Sequence, residues 1–243
     1  MSYAVSWSGG KDSMLALDRA VRRGLDVRWL FNLYDAASER VRFHAVRREL
    51  IARQAERLGL ELVQLSTRPA TFEARFLDGL GRLVGLGATG VIFGNIHLAD
   101  VRAWYEERTT ARGLEHEEPL WGEDGPALLA ELLERGYRTR LVSVDLTRGR
   151  PQWLGCELTV ALAEELACRP EVDPCGEHGE YHTFVFDGPL FQAPLELSPG
   201  NVRQEGDHAV LDLDERSGAS GMTWGAPASG PGPGCGTTAT GQP

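Results

Sequence analysis

Six consecutive residues, Ser8-Gly9-Gly10-Lys11-Asp12-Ser13, place two glycines, two hydroxyls, an ammonium and a carboxylate at one turn. The glycines permit a tight bend and leave backbone N–H groups unshielded by a Cβ. Joined to the open N–H groups of a following helix start, they form a nest for an anion. Ser8 and Ser13 add hydroxyl donors and Lys11 adds a point charge, a set suited to phosphate or pyrophosphate. A Walker A loop is excluded, because the four residues between its glycines are missing. Asp12 repels phosphate, by about 4 kcal/mol at ~4 Å and an effective dielectric of 20. A bridging Mg²⁺ held by Asp12 explains a carboxylate there; the plainer alternative is a helix-start residue favoured by the dipole. Lys11 is the only lysine among 25 basic residues, so a compact ammonium survives where arginine is otherwise used.

A second polar concentration is Cys175-Gly176-Glu177-His178-Gly179-Glu180-Tyr181-His182-Thr183. Glu177, Glu180 and His182 can together hold an ammonium, deprotonate it and orient an acceptor. A solvated acidic loop is the alternative for the two glutamates, and a satisfied strand residue is the alternative for His182. The three are also of metal-ligand type, though no second cluster supports that use. His178 reads as exposed and without a role. His97 and Arg102 follow a strand end and either face the site or begin a helix. Cys175 has no activating partner at a suitable spacing and reads as a buried, neutral thiol.

The elements that position these residues alternate in period. Tyr3–Trp7 is a short apolar strand running into the glycine turn, and Met14, Leu17 and Val21 mark a helix stopped by Gly24. Val27–Tyr34 and Leu60–Leu65 read as strands, separated by a helix through Val46, Leu50 and Leu58 that ends at Gly59. Phe72, Phe76, Leu80 and Leu83 give the next helix, and Val91-Ile92-Phe93 a buried strand running into Gly94-Asn95. Such alternation predicts an α/β fold, a parallel sheet with helices on both faces. Ligands then sit at the carboxyl ends of the strands, where Ser8-Gly9-Gly10 and Gly94-Asn95 both fall. Further on, Asp124 caps a helix through Leu133, Arg140–Leu146 is a strand, and Trp153–Ala167 has helical spacing. Val202–Leu213 reads as a hairpin turning at Gly206-Asp207. Residues 217–243 hold no charge and few large apolar groups, so they are expected to be a disordered tail.

The chain has 243 residues, a net charge of −10 and 42% hydrophobic residues, ordinary for a soluble globular protein. No run approaches a membrane span, and the first residues lack the pattern of a signal peptide. The acidic balance gives no strong signal for nucleic acid. Four cysteines without CxxC spacing point to a reducing cytoplasm.

SGGKDS after the first strand resembles the PP-loop of ATP pyrophosphatases. Phe43-His44-Ala45-Val46, Gly94–Asp100, Glu118-Pro119-Leu120-Trp121 and Cys175–Phe184 follow in order. Together they resemble the diphthine–ammonia ligase family over about residues 3–191. The resemblance implies a Rossmann-like, HUP-type domain over 1–118 that binds ATP. A smaller α+β subdomain over 119–216 would handle substrate and ammonia, ahead of the tail. It implies ATP-dependent amide formation: a carboxylate is adenylylated, pyrophosphate leaves, and ammonia displaces AMP. Ser8, Gly9, Gly10, Lys11, Asp12, Ser13, Gly94 and Asn95 would bind ATP, Asp12 would hold Mg²⁺, and Lys11, Glu177, Glu180 and His182 would act in catalysis. The family usually has Asp where this chain has Asn95, a neutral amide; Asp100 compensates only if it lies nearby. The acceptor is either the diphthine side chain of elongation factor 2 or an unidentified carboxylate, with a small molecule or RNA as further options for a bacterial source. A non-catalytic nucleotide sensor is the alternative of another class, and a homodimer is one option for assembly. Lys11→Ala is expected to abolish turnover with the fold intact.

Overall fold

The computed structural model describes residues 1–42 and 46–216. The Phe43-His44-Ala45 part of the second motif and the expected tail lie outside the described residues. Five strands run parallel: β1 (Ser2–Ser6), β2 (Asp26–Asp35), β4 (Glu61–Thr67), β5 (Gly90–Ile92) and β6 (Glu115–Glu117). Their order across the sheet is β4-β2-β1-β5-β6. Chain progression therefore reverses direction at β1, and the crevice between the ends of β1 and β5 is the switch point at which such sheets bind ligands. The short β3 (Arg40–Val41) pairs antiparallel with Tyr34 and Asp35. Those residues already give their other edge to β4, so β3 lies beyond the end of β1.

Alternation along the strands sorts side chains onto two faces. Tyr3, Val5, Trp7 and Leu30 join one cluster, whereas Ala4, Trp29 and Phe31 join the other. Helices α1 (Lys11–Arg22) and α2 (Arg48–Leu58) cover the first face through Met14, Leu17, Leu50 and Ile51. Helix α3 (Phe72–Gly85) covers the second through Phe76, Leu80 and Leu83. Helix α4 (Ala99–Thr110) packs there through Trp104 and Tyr105. Only Thr109 of α4 is fully buried, so the helix lacks the apolar stripe that would have revealed it in sequence.

The remainder of the chain packs on the α1/α2 side. Helix α5 (Gly125–Glu134) starts at Asp124, whose carboxylate accepts from the Ala127 N–H at 3.2 Å. Strands β7 (Arg138–Asp145), β8 (Tyr181–Asp187), β9 (Leu197–Glu205) and β10 (His208–Glu215) form an antiparallel sheet ordered β8-β7-β10-β9. The hairpin turns where expected, with Gly206 at φ +61°. The helix expected over Trp153–Ala167 is shorter: α6 covers Val160–Ala167, capped by Thr159. Residues 155–158 instead follow β7, with hydrogen bonds between Leu141 N–H and Cys156 C=O and between Leu158 N–H and Thr139 C=O. Leu128, Leu132, Val142, Val144 and Phe184 share one apolar cluster with Met14 and Ile51, so the two sheets rest on a common core.

Candidate functional site

The glycine turn leaves β1 and enters α1 with Gly10 at the N-cap position. Gly9 sits at φ +83°, and a Cβ there would lie 2.7 Å from both Gln54 and Ile51. Glycine is thus required twice, by backbone conformation and by space. Ser8 Oγ and Ser13 Oγ are 3.2 Å apart, and Ser8 Oγ accepts from the Gly10 N–H at 3.3 Å.

The turn is held from behind by the second half of the chain. Val185 N–H donates to Gly9 C=O at 2.9 Å. Lys11 N–H donates to Thr183 Oγ1 at 3.0 Å, so a threonine from β8 caps α1 where the local N-cap glycine has no side chain. Fully buried Gln54 completes the latch, donating to Gly9 C=O at 3.0 Å and Val185 C=O at 2.6 Å and accepting from Trp7 Nε1 at 2.9 Å. Neither Gln54 nor Thr183 is assigned a role by sequence reasoning; their partners are 45 to 172 residues away.

Lys11 is 4% exposed. Its ammonium donates to Asp12 Oδ2 at 2.9 Å and to Cys175 C=O, and lies 5.0 Å from the centre of the Tyr181 ring. Burial, the largest single influence, pulls the Lys11 pKa down, but the charge and hydrogen bond of Asp12 together with Tyr181 and Cys175 more than offset it, and the net shift is upward. Burial raises the carboxyl pKa of Asp12 against the opposing pull of Lys11. Cys175 is buried, and burial pushes its thiol well above the ordinary range, as the sequence reading of a neutral thiol expects.

Across the switch point, Gly94 follows β5. A Cβ on it would meet the Asp12 carbonyl carbon at 2.8 Å and the Ser13 nitrogen at 3.0 Å, so only glycine lets the two loops touch. The Asn95 side-chain amide donates to Glu118 Oε1 at 2.7 Å. The Glu118 side chain, itself buried, also meets His116 Nε2 at 2.9 Å and lies 3.3 Å from Arg102 Nε. The carboxylate beside Asn95 is therefore Glu118, while Asp100 lies in the first turn of α4. Arg102 in turn covers the Trp121 ring at 4.6 Å.

The polar loop before β8 closes the third side. Glu177 Oε2 accepts from the Ile96 N–H at 3.2 Å, tying this loop to the one after β5. Burial, followed by the nearby charge of Asp12, pushes the Glu177 pKa up to about 7. Glu180 is buried and fully engaged by protein: Oε1 accepts from Arg148 Nη1 at 3.1 Å and Asp173 N–H at 3.2 Å, and Oε2 from His178 N–H at 3.1 Å. His182 stands on β8 opposite Ser143, half-buried. The structure thus brings Ser8–Ser13, Gly94 and Glu177 to one crevice, and places Glu180 in the framework of the loop.

Residues 1–116 match the diphthamide synthase N-terminal domain, and residues 124–217 match the diphthamide synthase C-terminal domain. A diphthine–ammonia ligase of Danio rerio is 30% identical over 233 residues, covering 85% of this chain and 90% of that protein. One from Schizosaccharomyces pombe is 28% identical, covering 85% of this chain and 38% of that protein. Among solved structures, a predicted subunit of tRNA methyltransferase from Methanocaldococcus jannaschii shares 14% identity over 76% of this chain and 96% of that chain, with a TM-score of 0.39. The chain belongs to the diphthamide synthase family, the family of the diphthine–ammonia ligases.

Proposed function

We propose that the protein is an ATP-dependent ligase that joins ammonia to a carboxylate, with AMP and pyrophosphate as the other products. The observation that carries this reading is the meeting of three loops at the switch point: Gly94 against Asp12 and Ser13, and Glu177 on the Ile96 amide. The residues fit a nucleoside triphosphate. Glycines at positions 9, 10 and 94 leave room for backbone-lined phosphate contacts, and the start of α1 favours negative charge. Mg²⁺ fits the same place, because Asp12 and Glu177 bring like charge into a buried crevice and each pKa is raised by burial. A divalent cation held by Asp12 would relieve that repulsion and neutralise the departing pyrophosphate.

In this reading, Ser8 and Ser13 donate to phosphate oxygens, and Lys11 supplies charge behind the loop through its contact with Asp12. Residues 1–118 bind nucleotide, and residues 119–216 present acceptor and ammonia. Glu177 is the carboxylate that takes a proton from ammonium, with His182 orienting the acceptor; Glu180 positions the loop. The acceptor class is the carboxylate of a modified protein side chain, diphthine on elongation factor 2, and the setting is the cytoplasm. Among the described residues no helix is long and apolar enough to cross a membrane.

Incubation with ATP, Mg²⁺, ammonium and diphthine-bearing elongation factor 2 is expected to release AMP and pyrophosphate in step with amide formation. Release of ADP and phosphate, or ATP left intact, overturns the ligase reading. Pyrophosphate released with another carboxylate but not with diphthine keeps the chemistry and overturns the acceptor. Glu177→Gln is expected to bind ATP yet lose amide formation.

A further inference from the structure

The loop after β5 and the loop before β8 share one more feature. His97, Asp173 and His178 each turn a ligand-type atom to a common point, and these atoms all lie within 4.8 Å of one another. His97 Nε2 is 3.3 Å from Asp173 Oδ2, and the two imidazole rings stand edge to face with centres 5.7 Å apart. Nitrogen and oxygen ligands of tetrahedral Zn²⁺ sit ~2.0–2.2 Å from the ion, which places them roughly 3.3–3.6 Å from one another. The His97–Asp173 edge already has that length. Both imidazoles are exposed, so small side-chain rotations close the remaining edges.

The backbone beneath the three side chains is pre-organised. Asp173 Oδ1 accepts from the Cys175 N–H at 2.8 Å and the Glu177 N–H at 3.2 Å, which leaves Oδ2 turned toward His97. His178 is fixed at both main-chain groups, donating to Glu180 and accepting from Arg148 Nη2 at 2.8 Å. Outer-shell bonds of this kind orient metal ligands. The neighbouring thiol takes no part, since Cys175 Sγ points to the Gly125 carbonyl at 3.5 Å.

We infer that His97, Asp173 and His178 form a binding site for a borderline divalent transition metal of the Zn²⁺ type. Two imidazoles and one carboxylate suit Zn²⁺ or Co²⁺ and not the hard, oxygen-seeking Mg²⁺. Three protein ligands leave a fourth position open to water or a substrate donor, the arrangement of metal sites that do chemistry. The site borders the crevice through Glu177 and Ile96, yet none of its ligands is a proposed nucleotide contact. It stands or falls independently of the ligase reading.

The test is metal binding by the full chain, without substrates. Dialysis against Zn²⁺ in the presence of excess Mg²⁺, followed by elemental analysis, is expected to leave one zinc per chain. Co²⁺ is expected to give the visible absorption of a tetrahedral N/O site without a thiolate charge-transfer band. His97→Ala and His178→Ala, exposed positions whose folding is checked by circular dichroism, are each expected to weaken binding at least about tenfold. Absence of stoichiometric metal, a thiolate band marking cysteine ligation, or binding unchanged in both variants overturns the site and leaves a His97–Asp173 contact only.

Discussion

Gln54 is the side chain on which the position of the glycine turn rests, and Gln54→Leu tests that directly. The substitution keeps an apolar body of similar size in a fully buried place and deletes three hydrogen bonds. Gly9 C=O retains the Val185 N–H, but Trp7 Nε1 loses its acceptor and Val185 C=O loses its 2.6 Å donor. A buried donor left unsatisfied costs about 1–3 kcal/mol, and each lost carbonyl bond about 0.5–1.5 kcal/mol. The sum is about 2–6 kcal/mol, and at roughly 2–4 °C per kcal/mol a fall in Tm of about 10 °C is expected. Urea unfolding is the assay, with the midpoint moving and the slope unchanged. Gln54→Glu adds a second reading. One oxygen still accepts from Trp7, while the other faces two carbonyls and can donate to only one of them, and only when protonated. Folding therefore raises the pKa of that carboxyl, so this variant carries its full penalty above the folded pKa and recovers as pH falls from the folded value to the unfolded one. A loss under about 1 kcal/mol in Gln54→Leu, or a pH-independent deficit in Gln54→Glu, refutes the latch.

Thr183→Val removes the cap on α1 and is expected to cost about 1 kcal/mol in denaturant unfolding, with ATP affinity falling as the turn loosens. Gly94→Ala forces a Cβ against the main chain of Asp12 and Ser13, so calorimetry is expected to show lost nucleotide binding and unfolding about 1–3 kcal/mol easier. Lys11→Ala leaves Asp12 without its counter-charge; since Asp12 is a quarter exposed, about 2–3 kcal/mol of destabilisation is expected beside the loss of turnover. Asp145 is buried, and burial alone would raise its pKa, but bonds from Thr147 and Arg148 hold it at about 2. A lowered carboxyl pKa stabilises the fold above the unfolded value and fades as pH falls through the folded one. Asp145→Asn is thus expected to cost about 2 kcal/mol at pH 7 and only a small fraction of that near pH 2, read from melts across that range.

The parallel sheet was legible because each of its principal elements carries its own periodicity and stop signal, as with the Leu50-to-Gly59 helix and the Phe72-to-Leu83 stripe. The tight turn at Gly9 was legible for a related reason, since glycine at a strand end reports a local demand; the contact of Gly94 with Asp12 and Ser13 was not legible in that way. What escaped was whatever depends on a partner far along the chain. Helix α4 buries almost nothing and so leaves no stripe. Residues 155–158 have helical spacing, yet the open edge of β7 draws them into extended pairing. Glu180 resembles a free carboxylate until Arg148 and two amides claim it. His97 and Asp173 are 76 positions apart in the chain and 3.3 Å apart in space, so no spacing rule could join them.

The same distinction explains why the segment before β8 must be so densely constrained. A phosphate-binding turn needs its backbone N–H groups aimed at the ligand, but two successive glycines offer little stiffness of their own. Here the stiffness comes from outside: Thr183 takes the Lys11 N–H, Val185 takes the Gly9 carbonyl, and Cys175 C=O with Asp12 takes the Lys11 ammonium. Thr183 and Val185 of β8 and Cys175 of its approach loop therefore each perform a separate task on a turn more than 160 residues upstream. A change that preserves the turn's own sequence but shifts β8 by one residue exchanges the faces of every side chain on that strand and removes the Thr183 cap. The glycine turn and the β8 segment act as one structural unit, and neither specifies the site without the other.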